Sequence, residues 1–299
     1  MAVTDTLAGS DVAGTADEPT APRGKRRFVA SPAAWLVWGV VVFFFVNLAA
    51  LVGSVLVNSF ARQWFGTWLP NGWTTKWYSQ AWDSFGLLHV IVVTLQVSGL
   101  VVGISLLIGV PASFVLARRS FPGKSLVFFA FLLPIMMPPI TYGIPLATVL
   151  YKYELAGTMT GVVLANLVPS VPFVILTMTP FVEQVDRRIE DAARMCGAGL
   201  TATFTRILAP LLLPGILAAG ILVLVRTVAM FELTFLTAGP DSQTLVVALY
   251  YSMSAAGIRA QQSVDAMAVI YTSMMLVLLV IALRFVNPTQ LVARVKEEQ

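Results

Sequence analysis

At 299 residues, 58% hydrophobic and only 11% charged, the chain carries less than half the charge of an ordinary soluble domain, where about a quarter of residues are charged. Its mean hydropathy of +0.83 places it in a bilayer. The net charge of +4 does not gather on one face of a soluble domain but falls between apolar runs, so it reads as topogenic charge and no nucleic-acid partner is expected. A single cysteine, Cys196, and a single histidine, His89, exclude an internal disulfide and leave too few ligands for a zinc site.

Residues 1–30 are rich in Ala, Thr, Gly and Asp and end in Arg23, Lys25, Arg26 and Arg27, which predicts a disordered cytoplasmic tail. The apolar run that follows, Ala33 to Val57, is longer than the core of a signal peptide and is expected to remain as a signal anchor. Further runs fall at Leu87–Ala117, Ser125–Leu150, Met159–Val182, Leu211–Thr237 and Ala266–Phe285. The chain therefore reads as an all-α membrane protein with six transmembrane helices over residues 31–286 and a short cytoplasmic tail, 287–299. Pro111, Pro134, Pro138, Pro139 and Pro145 are the expected kink points.

Counting Lys and Arg in alternate loops gives the orientation. One side holds Arg23, Lys25, Arg26, Arg27, Arg118, Arg119, Lys124, Arg187, Arg188, Arg194, Arg206, Arg284, Arg294 and Lys296, a total of 14. The other holds the 4 residues Arg62, Lys76, Lys152 and Arg259, while Arg226 lies inside a span. By the positive-inside rule both termini are expected in the cytoplasm, and shifting the count by one span would destroy the asymmetry. Between the first two spans, Trp64, Trp68, Trp73, Trp77 and Trp82 predict an interfacial anchoring segment, with substrate stacking as the alternative. Between the last two, Thr244–Met253 is too short to span and predicts an interfacial or re-entrant helix.

The cytoplasmic loop over residues 183–210 holds the most informative pattern. Ile189, Ala192, Ala193 and Cys196 fall at i, i+3, i+4 and i+7, a narrow apolar stripe on a short amphipathic helix. Asp186 can cap its start, Glu190 and Arg194 are spaced for an i,i+4 pair, and Gly197 or Gly199 can end it in the left-handed conformation; a second helix then opens at Thr201. Small side chains on the stripe allow another surface to approach closely.

At these residues the chain resembles the permease subunits of binding-protein-dependent ABC importers. Their signature is E-A-A, three residues, Gly, nine residues, Ile, one residue, Leu-Pro. Asp191, Ala192, Ala193, Gly197, Ile207 and Pro210 occupy its slots, with Asp191 in place of Glu and Ala209 in place of Leu, which leaves open whether Glu190 or Asp191 does the acidic residue's work. The similarity runs from about Asn58 to Asn287 and takes in LARRSFPGK, LLPIMMPPITYGIP and FELTFLTAGP. It is strongest to the polyamine (spermidine/putrescine) type, with the carbohydrate type next. The resemblance implies a MetI-like permease fold in a bacterial or archaeal cytoplasmic membrane, without an ATPase site or cofactor of its own. It also implies three partners: a cytoplasmic ATPase that receives the loop helix in a cleft, a second permease subunit, identical or different, and an extracytoplasmic solute-binding protein. The residues agree on the missing nucleotide site, because the one Gly-Lys-Ser, Gly123–Ser125, lacks the glycine that a P-loop needs at the position of Arg118.

Inside the spans, ionisable groups are expensive and so draw attention. Arg226 and Glu232 both fall in the expected fifth span, six residues and about 240° apart on a continuous helix, which predicts no direct pairing. Glu232 is a candidate gate or contact for a cationic substrate, or else a structural pair with another span; Arg226 reads as structural. The run Leu133–Pro145 cannot be regular helix, so Pro138, Pro139, Thr141 and Tyr142 are candidates for the lining of the translocation path, against a kink that serves packing alone. His89 reads as a packed or interfacial residue and Cys196 as a small apolar filler. An ion-coupled secondary transporter is the rival, but it would need broken helices in both halves and several midplane carboxylates. A membrane enzyme is a third reading, for which no nucleophile and base pair stands out.

Overall fold

The computed structural model describes residues 32–64, 66–254 and 260–285. The expected tails, 1–30 and 287–299, and Arg259 lie outside the described residues. Among the described residues the ordered elements are helical, apart from one bridge between Ala61 and Trp73. In chain order they are α1 (Pro32–Phe60), α2 (Lys76–Ser84), α3 (Leu87–Arg118), α4 (Lys124–Met136), α5 (Pro139–Lys152), α6 (Met159–Glu183) and α7 (Arg187–Met195). Then α8 (Leu200–Thr203) runs through a π-helical turn, Phe204–Leu208, into α9 (Ala209–Val228), followed by α10 (Glu232–Thr237), α11 (Leu245–Ser254) and α12 (Gln261–Phe285).

Among the described residues five helices are long and apolar enough to cross a membrane: α1, α3, α6, the continuous stretch Thr201–Val228, and α12. Where a sixth span is expected, α4 and α5 meet at a bend of 98°. The reason is local. Proline biases the residue before it away from helical geometry, and Met137 and Pro138, each followed by proline, have ψ of 141° and 132°. Pro139 then sits in the first turn of α5, where its missing donor costs nothing. With 13 and 14 residues, α4 and α5 are each about 20 Å long, short of a hydrocarbon core of roughly 30 Å, so only as a pair can they supply a sixth crossing. Pro111, Pro134 and Pro145, expected as kink points, lie inside α3, α4 and α5 without ending them.

The chain divides into two compact units at Ala50. The first takes in α1 as far as Ala50, a stretch that is apolar apart from Asn47. The second holds the core, in which Val97, Val101, Val174, Met178, Ala219 and Val223 join α3, α6 and α9. A Cβ on Gly109 would lie 2.5 Å from Val174 Cγ1, so the closeness of α3 to α6 depends on having no side chain there. A second cluster, including Ala81, Leu87, Leu245 and Met267, gathers α2, α11 and α12 around the start of α3. There the Leu245 N–H donates to Thr94 Oγ1 at 2.8 Å, and α11 is the short apolar helix expected at Thr244–Met253.

The fifth span differs from expectation at both ends. The helix begins about ten residues before Leu211, at Thr201, and stops at Val228 instead of Thr237. Ala229, Met230 and Phe231 are apolar and so do not interrupt the hydropathy, yet the chain leaves the helix there and restarts at Glu232. The expected 240° offset between Arg226 and Glu232 therefore does not apply.

Candidate functional site

The loop helix α7 forms as its caps predict. The Asp186 carboxylate accepts the Arg188 N–H at 2.9 Å. At the other end Gly197 takes φ +80°, its N–H donates to Arg194 O at 2.9 Å, and the Ala198 N–H donates to Ala193 O at 3.0 Å, the paired bonds of a Schellman ending. Gly199, the alternative stop, has no positive φ. Of the expected apolar stripe, Ala193 turns inward and is buried, while Ile189, Ala192 and Cys196 remain exposed, as does Met195 at 89%. Cys196 is thus not a packed filler but an exposed thiol at the helix end.

The two acidic residues separate. Asp191 is exposed and Glu190 is buried. The expected Glu190–Arg194 pair is absent, because Glu190 points toward the span ends and accepts from Arg118 Nε at 2.7 Å. Arg118, the last residue of α3, also donates from Nη2 to the Val185 carbonyl at 2.6 Å. Beyond the loop, Ile207 lies half-buried in the π-helical turn and Pro210 is exposed in the first turn of α9. Phe204 in that turn meets Phe114 of α3 edge-on, with ring centroids 5.7 Å apart.

The intramembrane candidates converge only in part. Tyr142 packs against the cluster of Met230 and Leu233, and its hydroxyl is buried without a hydrogen-bond partner. A Cβ on Gly143 would sit 2.9 Å from Leu236 and 3.0 Å from Leu233, which shows how closely α5 and α10 pack. The Arg226 guanidinium stands 5.3 Å from the Phe173 ring centre, a cation–π contact. Pro138 and Thr141 are exposed and Pro139 is half-buried, so they do not join the group around Tyr142.

Sequence reasoning missed three features here. Phe231, Phe235, Tyr250 and Tyr251 form one aromatic group beside Glu232, with neighbouring centroids 4.9 to 6.0 Å apart. Asn166, buried in α6, donates to Val162 O and to Thr234 Oγ1 and so ties α6 to α10; a polar residue in mid-span was a usable signal for it. The third is Arg118, whose bond partners lie 67 and 72 positions away and leave no local pattern. His89, read as packed or interfacial, is exposed, with Nε2 3.2 Å from the Asp241 carbonyl. In the tryptophan segment, Trp77 Nε1 donates to Ala61 O at 2.7 Å while Trp68 stands exposed.

The chain is similar to known proteins in sequence and in fold. Over 178 aligned residues, covering 54% of this chain and 78% of the relative, the chain is 32% identical to the molybdenum transport system permease protein ModB of Escherichia coli K12. It is 28% identical over 204 residues to the diacetylchitobiose uptake system permease protein NgcG of Streptomyces coelicolor, covering 66% of this chain and 65% of that one. In fold it is similar to a chain of the bacterial alginate ABC transporter solved in complex with an alginate pentasaccharide-bound periplasmic protein, with a TM-score of 0.63, 15% identity, and coverage of 84% of this chain and 93% of the other. The family model described as binding-protein-dependent transport system inner membrane component matches residues 109–289, from mid-α3 through the loop helix to the end of α12, and the chain belongs to that family.

Proposed function

We propose that this chain is a permease subunit of an ABC importer, that it lines part of the path for a small polar solute, and that a separate cytoplasmic ATPase docks on α7 and drives it. The observation that carries the reading is the exposed side of α7. Ile189, Ala192, Met195 and Cys196 leave an apolar, small-residue surface open outside the spans, and the Gly197 ending turns the chain back toward α9 at once. Asp191, exposed beside that surface, takes the acidic role of the signature in this reading, and Glu190 does not. The chain itself makes no ATP chemistry, and both termini and the 183–210 loop lie in the cytoplasm, in keeping with the 14-to-4 distribution of basic residues. A solute-binding protein delivers cargo on the opposite side, and a second permease subunit completes the path.

Around Tyr142, the bent α4–α5 pair and α10 bring a buried hydroxyl against Met230 and Leu233 at a broken point of two spans, with Glu232 opening α10, the arrangement expected where backbone must face a cavity. Glu232 favours a cationic cargo of the polyamine type. The relatives named above are permeases for molybdenum and for a disaccharide, which favours the sugar-type alternative over the polyamine one. The test is co-purification of the chain with an ATPase and a binding protein, followed by calorimetry of that binding protein with spermidine, a disaccharide and molybdate. Uptake driven by an ion gradient without ATP, and no ATPase in the preparation, would refute the reading.

A further inference from the structure

Arg118 and Glu190 form the one ion pair among the described residues, with side chains 10% and 8% exposed. A buried ion pair is a poor source of stability, since well-packed apolar groups would hold the same two elements at least as firmly. What it supplies is a short link of fixed geometry: a planar guanidinium whose two donors reach different acceptors. Here one donor holds the inward face of α7 at Glu190, and the other holds the Val185 carbonyl in the three-residue elbow between α6 and α7. The same side chain therefore fastens the helix and its elbow to the end of α3. In the other direction the chain leaves α7 through Gly197 and Gly199 and then a π-helical turn, a more compliant route into α9.

We infer that Arg118 and Glu190 are the latch that delivers movement of α7 to α3 and α6 together, as one body, in preference to α9. This rests on the reading of α7 as the seat of the ATPase. Both are positioning residues; neither faces the partner in this scheme. Because α3 and α6 pack along their length through Gly109, a pull at Arg118 is carried into the core of the membrane unit.

The experiment uses the full chain co-purified with its ATPase in lipid nanodiscs, with Cys196→Ser to remove the native thiol. Nitroxides on Ser120→Cys, just beyond α3, and Arg188→Cys, on α7, report their spacing by dipolar broadening. Spectra are compared without nucleotide and after trapping with ATP and orthovanadate. The latch predicts the same spacing in both states. Arg118→Gln and Glu190→Gln, each still holding the ATPase in a pull-down, should lose that constancy on trapping, and the exchanged pair Arg118→Glu with Glu190→Arg should restore it. Spacing as constant in the glutamine variants as in the parent, or failure of the exchanged pair to restore what the single variants lose, would overturn the latch. A glutamine variant that no longer retains the ATPase would place the residue at the partner surface and overturn it equally. If no ATPase co-purifies with the chain that keeps Cys196, the seat on α7 fails instead, so the two claims fail separately.

Discussion

Replacing Gly197 with valine perturbs α7 at a single backbone angle. Gly197 has φ +80°, and a Cβ built there meets nothing within 4 Å, so within the chain the cost is conformational and not steric crowding. A β-branched residue held in the left-handed region costs about 1–3 kcal/mol. The alternative, releasing the turn, gives up the Gly197–Arg194 and Ala198–Ala193 bonds, worth about 1 kcal/mol each. Either way roughly 2 kcal/mol separates the variant from the native ending, which shifts the balance toward an unravelled last turn by about 30-fold. Met195 and Cys196 lie in that last stretch, so the surface offered to a partner changes while the spans are untouched. Pull-down of the ATPase subunit and ATP hydrolysis of the reconstituted complex, with and without loaded binding protein, should both fall in Gly197→Val. Gly197→Asn should retain most of each, since asparagine enters the left-handed region readily. Full pull-down and full stimulation in the valine variant would refute the role given to this loop.

Three further outcomes follow from the same structure. In a Cys196→Ser background, cysteines at Ser120 and Gln184 should be shielded from an impermeant thiol reagent in intact cells, while one at Asp241 should label; Asp241 is exposed, whereas its neighbour Ser242 is buried and bonded to Gly157 O. Labelling of the first two would reverse the orientation. Glu232→Gln should lower uptake by about ten-fold, the loss of roughly 1.4 kcal/mol, without releasing partner subunits, and unchanged uptake would leave Glu232 with packing alone. Gly109→Ala should destabilise the membrane unit by about 1–3 kcal/mol, seen as a lower melting temperature in detergent, because its methyl group would meet Val174 at 2.5 Å.

What could be read in the sequence was what local chemistry decides. Apolar runs placed the long helices to within a few residues, except at the fifth, where the apolar Ala229–Phe231 hides the break that precedes Glu232. The prolines announced an irregular third span, but its 98° bend comes from two adjacent residues with extended ψ, and pattern alone gives no angle. Asp186 and Gly197 were legible as caps because capping involves neighbours only. Glu190 was read toward Arg194 for the same reason, and wrongly, because the stronger donor comes from the end of another span. The packing of Tyr142 against Met230 and Leu233 likewise depends on how α5 and α10 meet, and Arg226 found an aromatic ring, not a carboxylate.

The π-helical turn at Phe204–Leu208 gives the signature's spacing a meaning in phase. Each helical residue adds about 100° of rotation and about 1.5 Å of rise, and a π turn absorbs one residue without adding that rotation to the helix beyond. Deleting one residue there would restore ordinary winding and leave the headings of α7 and α9 little changed, whereas deleting one from the α-helical turns beyond it would swing α7 by about 100° about the axis of α9. Ile207 lies within the wide turn, so the approach to it from Gly197 ends where one residue can be taken up without turning α7. Length changes of a single residue should therefore be tolerated in the exposed 66–72 stretch, and a single deletion should be better tolerated at 204–208 than at 209–213.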